Sequence, residues 1–320
     1  MRRPIPAGGR PRVVVVDPID DHALSAMRDR YVVHVEERPG PARLIEILQD
    51  ADAVVLRSGV VLDAETLRAA PRLKVIARAG SGTDNIDLVT ARALGQRVVT
   101  VPAVSANAVA EHAIALLLAV ARNIARADAE IRRDVWDKEG GIGRELRGST
   151  LGVVGLGSIG TRVAQIGRAL GMDVLATVAR PGPERSANAA AAGVTLVHLD
   201  ELLVACDAVV LAVPLTDRTR HLVGRRELAM MRSGAFLVNV SRGGVVDEQA
   251  LLDALETRSI AGAGLDVFAA ERTTTVFAGC RDAVLTPHLG AMTVEAQRRV
   301  GEVLVARLAE ALQDSLEVVA

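Results

Sequence analysis

Short apolar runs alternate with segments of helical period along almost the whole chain. RVVVVD ends at Asp17, YVVHV covers 31–35, AVVL 53–56, LKVIA 73–77 and RVVT 97–100. Helix-like stretches such as ARLIEILQD and DAETLRAAP lie between them. Strand–helix alternation of this kind predicts a parallel, doubly wound sheet. From about Ala106 to Arg126 the pattern becomes one long helix, apolar on most sides through its middle. Such a helix is expected to be buried, between domains or in a subunit interface. The polar, glycine-containing KEGGIGRELRGST reads as a loop. A second alternating region opens at LGVVGLG. Its further strands are predicted over DVLAT (173–177), DAVVLAV (207–213), AFLVNV (235–240), AGAGLDV (261–267) and AVLT (283–286). The last segment, VEAQRRVGEVLVARLAEALQ, again has helical period. No solenoid repeat is visible. The chain reads as two variants of one α/β theme.

A length of 320 residues accommodates two domains. Half the residues are apolar and the formal net charge is −1, so nothing favours nucleic acid or an anionic membrane as a partner. Aromatic residues are scarce, which leaves Val, Leu, Ile and Ala to build the cores. Cys206 and Cys280 belong to no CxxC or His-rich cluster, so free thiols are expected and no metal site. The basic start, residues 1–11, has no following apolar run and reads as a disordered tail. AIALLLAVA at 113–121 is too short to span a bilayer. A cytoplasmic location is expected.

LGVVGLGSIGTRVAQIGRALG carries GxGxxG at Gly155, Gly157 and Gly160, after a predicted strand and at the start of a helix. Gly155 permits the tight turn, Gly157 lets backbone approach a pyrophosphate, and Gly160 lets helix pack on strand. The helix N-terminus then faces the phosphates. An acid that would hold the adenosine ribose is due about 20 residues on. That place falls at Val178, which accepts no hydrogen bond. Arg180 follows in GMDVLATVARPG and can pair with a 2′-phosphate, with Arg185 a weaker second candidate. NADP is therefore favoured over NAD.

RAGSGTDNID (78–87), AVAEHAIALLLAVAR (108–122), LGVVGLGSIG, NVSRGGVVDE (239–248), GLDVF with Glu271, and TPHLGA (286–291) occur in this order. In order and spacing the chain resembles the D-isomer-specific 2-hydroxyacid dehydrogenases, in their D-3-phosphoglycerate dehydrogenase-like branch, from about Arg12 onward. The resemblance implies two α/β domains with a cleft between them. A flavodoxin-like substrate domain would comprise 12–104 plus 293–320, and a Rossmann NAD(P)-binding domain 105–292. It also implies a homodimer and a small 2-hydroxy or 2-oxo acid as substrate.

Hydride exchange between a C2–H and a nicotinamide needs a cation for the acid, a proton-exchanging group and a residue that orients that group. By resemblance these are Arg242, His288 and Glu271. A guanidinium fork suits a planar oxo acid. Histidine can work in both proton-transfer directions, and a carboxylate partner favours its protonated form. The resemblance further implies Ser158, Ile159, Val213, Pro214 and Gly290 as cofactor contacts, with Val240, Ser241 and Asp266 on the nicotinamide side. Gly80, Ser81 and Gly82 match a loop whose amides hold the substrate carboxylate. Arg57, Ser58 and Arg78 match positions near the substrate, and two arginines there suit a phosphate or second acid group.

Some positions depart from the family pattern. Arg272 stands where the family has proline after the glutamate, and the loop before TPH is shorter, so Glu271 is expected to be held less firmly. Ser105 stands where many relatives have asparagine, and Ala212 where many have histidine. His22, His34, His112, His198 and His221 match no chemical motif, and His112 is expected to pack or cap an interface. The leading expectation is an NAD(P)-dependent dehydrogenase or 2-oxoacid reductase acting on a substrate such as 3-phosphoglycerate, glyoxylate or hydroxypyruvate. The alternative is a dinucleotide-sensing, corepressor-like binding protein of the same fold. A formate- or phosphite-oxidising relative is a third reading.

Overall fold

The computed structural model describes residues 9–317, without the side chains of 184, 185 and 315–317. Most of the tail expected over 1–11 therefore lies outside the described residues. The chain divides into two compact units, 1–105 with 293–320, and 106–292.

The first unit holds strands β1 (Arg12–Val15), β2 (Val32–Val35), β3 (Ala53–Leu56), β4 (Val75–Arg78) and β5 (Arg97–Thr100). All pair in parallel, in the order β2-β1-β3-β4-β5. Side chains alternate between faces along a strand, so both faces of a covered parallel sheet are apolar. Val13 and Val15 accordingly enter one core, and Val14 and Val16 the other. The final helix, Val294–Glu317, returns to this unit and lays Leu304, Leu308 and Leu312 on the first core.

The second unit holds β6 (Thr150–Val154), β7 (Asp173–Thr177), β8 (Thr195–Leu196), β9 (Ala208–Leu211), β10 (Phe236–Asn239), β11 (Gly262–Leu265) and β12 (Ala283–Leu285). Their order is β12-β11-β10-β9-β6-β7-β8, again all parallel. This is the Rossmann order with one strand added beyond β11. The chain's direction of winding reverses between β6 and β9, and in the first sheet between β1 and β3. Loops at the carboxyl ends of the strands beside such a reversal are where open α/β sheets bind ligands.

The sequence pattern and the structure differ in two places. The long helix ends at Ala121, not Arg126, because Asn123 takes a left-handed conformation with φ 54°. Asparagine tolerates that region better than most residues, and a second helix, Ile124–Ile131, continues at 62° to the first. The two-residue β8 has no counterpart in the sequence pattern. It is too short to carry a readable alternation. The long helix is buried as its composition requires, with Ala110, Ala113 and Leu117 fully enclosed in the core of this unit. No single helix among the described residues is long and apolar enough to cross a membrane. The bent pair 106–131 has that length and composition together.

Candidate active site

Gly155 follows β6 with φ 96°, and a Cβ there would lie 2.6 Å from the Ala212 carbonyl oxygen and 2.7 Å from Val213 Cγ1. Only glycine lets the two loops at the winding reversal approach so closely. Gly160 is equally constrained, since its Cβ would strike the Gly155 carbonyl. Gly157 is the N-cap of the helix Ser158–Ala169 and no side chain caps that end. A Cβ at Gly157 would meet nothing, so the backbone faces open space. The first amides of a helix lack internal acceptors, and here they are oriented for an anion. The loop therefore fits a dinucleotide pyrophosphate. Ser158 is exposed and Ile159 half-buried against the core.

β7 ends at Thr177, whose carbonyl accepts from Gly155 N–H at 2.9 Å. Arg180 is exposed just beyond it and lines an open cavity of about 500 Å³ with Ala179, Thr216, Asp217 and Arg218. The side chain of Arg185 lies outside the described residues.

After β10, Asn239 organises a turn from within the core. Its Oδ1 accepts from Ser241 Oγ–H at 2.6 Å and Ser241 N–H at 3.0 Å, while its Nδ2 donates to the Arg242 carbonyl at 2.9 Å. Ser241 and Val240 are both buried. Arg242 Nη1 donates to the Ser241 carbonyl at 2.7 Å, which sets the orientation of the guanidinium. Gly243 then passes so close to Phe268 and Ala269 that a Cβ would strike their backbone. This contact brings the Arg242 turn beside the segment leading to Glu271.

Glu271 Oε1 lies 2.7 Å from His288 Nδ1. The hydrogen bond to His288 is the main cause holding the Glu271 carboxyl below its ordinary value. Burial opposes it, and the charges of His288, Arg242 and Arg272 add to the lowering. Arg242, Glu271 and His288 thus form one electrostatic group.

His288 itself adopts φ 58°. Its turn hangs from Asp266, which follows β11 and is 1% exposed. The His288 amide donates to the Asp266 carbonyl at 2.8 Å. The Leu289 amide donates to Asp266 Oδ1 at 2.7 Å and the Gly290 amide to Oδ2 at 2.8 Å. Thr286 Oγ–H donates to Oδ1 at 2.6 Å, and His112 Nε2 lies 3.1 Å from the same oxygen. Burial alone would raise the Asp266 pKa, but the bonds from His112, Thr286, Leu289 and Gly290 bring it below its ordinary value.

The remaining candidates stand in the first unit. Asp17, at the end of β1, is 2% exposed, and its Oδ2 accepts from Arg57 N–H at 2.7 Å and Gly59 N–H at 3.0 Å. Asn85 Nδ2 donates to the carbonyls of Arg57 and Val60. The loop carrying Arg57 and the exposed Ser58 is therefore fixed at that sheet's winding reversal. Burial pushes the Arg57 guanidinium below its ordinary value, with Asp17 opposing and Arg38 adding to the shift. Arg78 is buried at the end of β4, and Gly80, Ser81 and Gly82 follow it. Among the described residues no group of three or more His, Cys, Asp or Glu could hold a metal ion.

Residues 114–290 match the family model for the D-isomer specific 2-hydroxyacid dehydrogenase, NAD binding domain. The chain is 40% identical over 305 residues to a hydroxypyruvate reductase of Thermotoga maritima, covering 93% of this chain and 97% of that protein. It belongs to the D-isomer-specific 2-hydroxyacid dehydrogenase family. A D-3-phosphoglycerate dehydrogenase of Mycobacterium leprae is 41% identical over 292 residues, 91% of this chain but 55% of that protein. The chain thus spans about half the length of the phosphoglycerate dehydrogenase it matches. The crystal structure of the TT0316 protein from Thermus thermophilus superposes with a TM-score of 0.87 at 36% identity, covering 95% of this chain and 97% of that one. The relatives named for an activity carry enzyme names, and the corepressor-like reading gains no support from them.

Two features within this family frame were invisible in the pattern of the chain. Arg272, where the resemblance leads one to expect proline, has φ 65°. Proline is locked near −65° and cannot adopt that conformation, so this loop runs a course the family residue would forbid. His112 matches no chemical motif, yet it reaches Asp266 and, at 3.0 Å, Thr286 Oγ1. Its AEH context lies more than 150 residues before Asp266 in the sequence, so no local spacing links them.

The lowered Asp266 pKa has a stability consequence whose sign is fixed. The contribution is fully present above the unfolded value, near 3.8, and is lost as pH falls through the lower folded value. Replacing Asp266→Asn keeps the shape but presents N–H groups to donors. We expect a loss of about 1–3 kcal/mol at neutral pH and a shallower decline of stability in acid. Urea unfolding across pH measures both, and an unchanged acid limb would contradict the assignment.

Proposed function

We propose that the chain is an NAD(P)-linked D-2-hydroxyacid dehydrogenase, or in the reducing direction a 2-oxoacid reductase. The observation that carries this reading is the Glu271–His288 pair at 2.7 Å within the electrostatic reach of Arg242. Because Glu271 engages Nδ1, His288 Nε2 is the atom placed to exchange a proton with the substrate oxygen. Glu271 fixes the orientation of the ring through Nδ1. Arg242 holds the substrate carboxylate and polarises the 2-oxo group. The nicotinamide, when bound, supplies or accepts the hydride. Val240, Ser241 and Asp266 serve its side of the site, and Val213, Pro214 and Gly290 contact the cofactor. The second unit serves as the cofactor domain and the first as the substrate domain. There the amides of Gly80, Ser81 and Gly82 receive the substrate carboxylate, and Arg57, Ser58 and Arg78 receive a phosphate or second acid group. These cations favour 3-phosphoglycerate, whereas the missing ribose acid favours an NADP-linked reductase of glyoxylate or hydroxypyruvate.

Turnover of a panel of 2-oxo acids with NADH and NADPH tests the reading. His288→Gln should lower kcat by about 10²–10⁴-fold. A variant that keeps wild-type turnover removes His288 from the chemistry.

NADP preference rests on Val178, which accepts no hydrogen bond, and on Arg180 at the cavity it shares with Arg218 and Asp217. The lining side chains carry two guanidinium groups against one carboxylate, which favours a dianionic 2′-phosphate over a ribose hydroxyl. Arg180→Ala should weaken NADPH relative to NADH by about tenfold, read from the two KM values. An unchanged ratio rejects Arg180 as the discriminator.

A homodimer fits the exposed apolar side chains gathered over 124–142. Trp136 is 83% and Ile142 81% exposed, with Ile124, Ile131 and Val135 also open. Large exposed apolar groups in one segment mark an association surface. Sedimentation should show a dimer that Trp136→Glu with Ile142→Glu converts to monomer. A wild-type monomer at micromolar concentration would end this reading.

A further inference from the structure

We infer that His112 is a positioning residue: its Nε2–H joins Asp266 to Thr286 and so holds the turn that presents His288. The inference rests on the reading of His288 as the proton-exchanging group.

The proton inventory around His112 fixes its tautomer. Its Nε2 lies 3.1 Å from Asp266 Oδ1 and 3.0 Å from Thr286 Oγ1. An ionised carboxylate only accepts. The Thr286 hydroxyl proton is already directed to Asp266 Oδ1 at 2.6 Å, so that oxygen offers a lone pair to His112. Nε2 therefore carries a proton and shares it between two acceptors. His112 stands on the helix Ala106–Ala121, whose Ala110, Ala113 and Leu117 are sealed in the core, so the donor is fixed to a rigid element.

What His112 holds is a turn under conformational demand. A non-glycine residue at φ 58° persists only where its surroundings over-determine it. Here the amides of His288, Leu289 and Gly290 all end on Asp266, at its carbonyl, Oδ1 and Oδ2. Removing the imidazole leaves Oδ1 buried with one donor fewer and leaves Thr286 Oγ1 without its N–H. Asp266 and Thr286 can then shift, and the His288 ring follows their backbone.

Comparison of His112→Phe and His112→Gln with wild type tests this. The phenyl ring fills the site without a donor, whereas the glutamine amide restores an N–H. His112→Phe should lower kcat by about 10- to 100-fold. His112→Gln should recover most of the loss. In a His288→Gln background, His112→Phe should have no further effect on kcat, because both changes act through one group. Independently of turnover, amide exchange at Leu289 and Gly290 should accelerate by about fivefold or more in His112→Phe, with β6, β9 and β10 unchanged. Unaltered kcat, an equal loss in both backgrounds, or unaltered exchange at those amides overturns the inference. If the wild-type protein turns over no 2-oxo acid with either cofactor, the reading of the site fails, and the exchange result alone decides whether His112 holds the turn. Thr286→Val removes one of the two acceptors of the His112 N–H, together with the hydroxyl donor to Asp266, and replaces the phenylalanine variant if that one does not fold.

Discussion

A carboxylate withdrawn from water must find donors, and Asp266 finds them in the turn that carries His288. At 1% exposure the group would be costly to ionise unless hydrogen bonds replaced its hydration. It gathers Leu289 N–H, Gly290 N–H, Thr286 O–H and His112 N–H, and its own carbonyl takes His288 N–H. The constraint works in both directions. The donors keep the carboxylate charged, and the carboxylate fixes the backbone at an uncommon φ. The position of the His288 ring follows, and with it the 2.7 Å approach to Glu271.

The same device recurs in each unit taken by itself. Loops at the carboxyl ends of parallel strands leave the ladder with unpaired amides that need acceptors. Asn239 supplies one for Ser241 beyond β10, and Asp17 supplies one for Arg57 and Gly59 beyond β3. In all three cases a nearly fully buried side chain at the end of a strand holds amides of the loop that follows its own or a neighbouring strand. The candidate chemistry is thus anchored to the least deformable part of the sheet. That is how a loop residue can hold a fixed orientation.

Much of this was legible in the chain because it depends on local pattern. The strands are continuous apolar runs, and all those expected in the first sheet are present within a few residues of their predicted limits. The glycine loop was legible because each glycine answers a steric demand. Arg242, Glu271 and His288 were identified through resemblance, not through periodicity. What escaped was either very short or non-local. β8 has two residues. The helix break at Asn123 depends on one residue's tolerance of a left-handed backbone. The bond from His112 to Asp266 spans 154 positions, and a histidine on an apolar helix reads as packing until the fold brings its partner to it.

Arg272 shows why a departure from a family pattern need not loosen what it flanks. Losing proline removes a fixed φ, which by itself suggests a less constrained Glu271. Yet the new residue takes φ 65°, so it does not substitute for proline in the same turn. Thr273 Oγ–H closes the loop on the Ala270 carbonyl at 2.9 Å. Glu271 still reaches His288, and the Arg272 charge also helps hold its carboxyl below the ordinary value. The pairing is preserved because it is set at its other end, where Asp266 fixes the imidazole. A carboxylate on a flexible side chain can meet that fixed ring from more than one loop path.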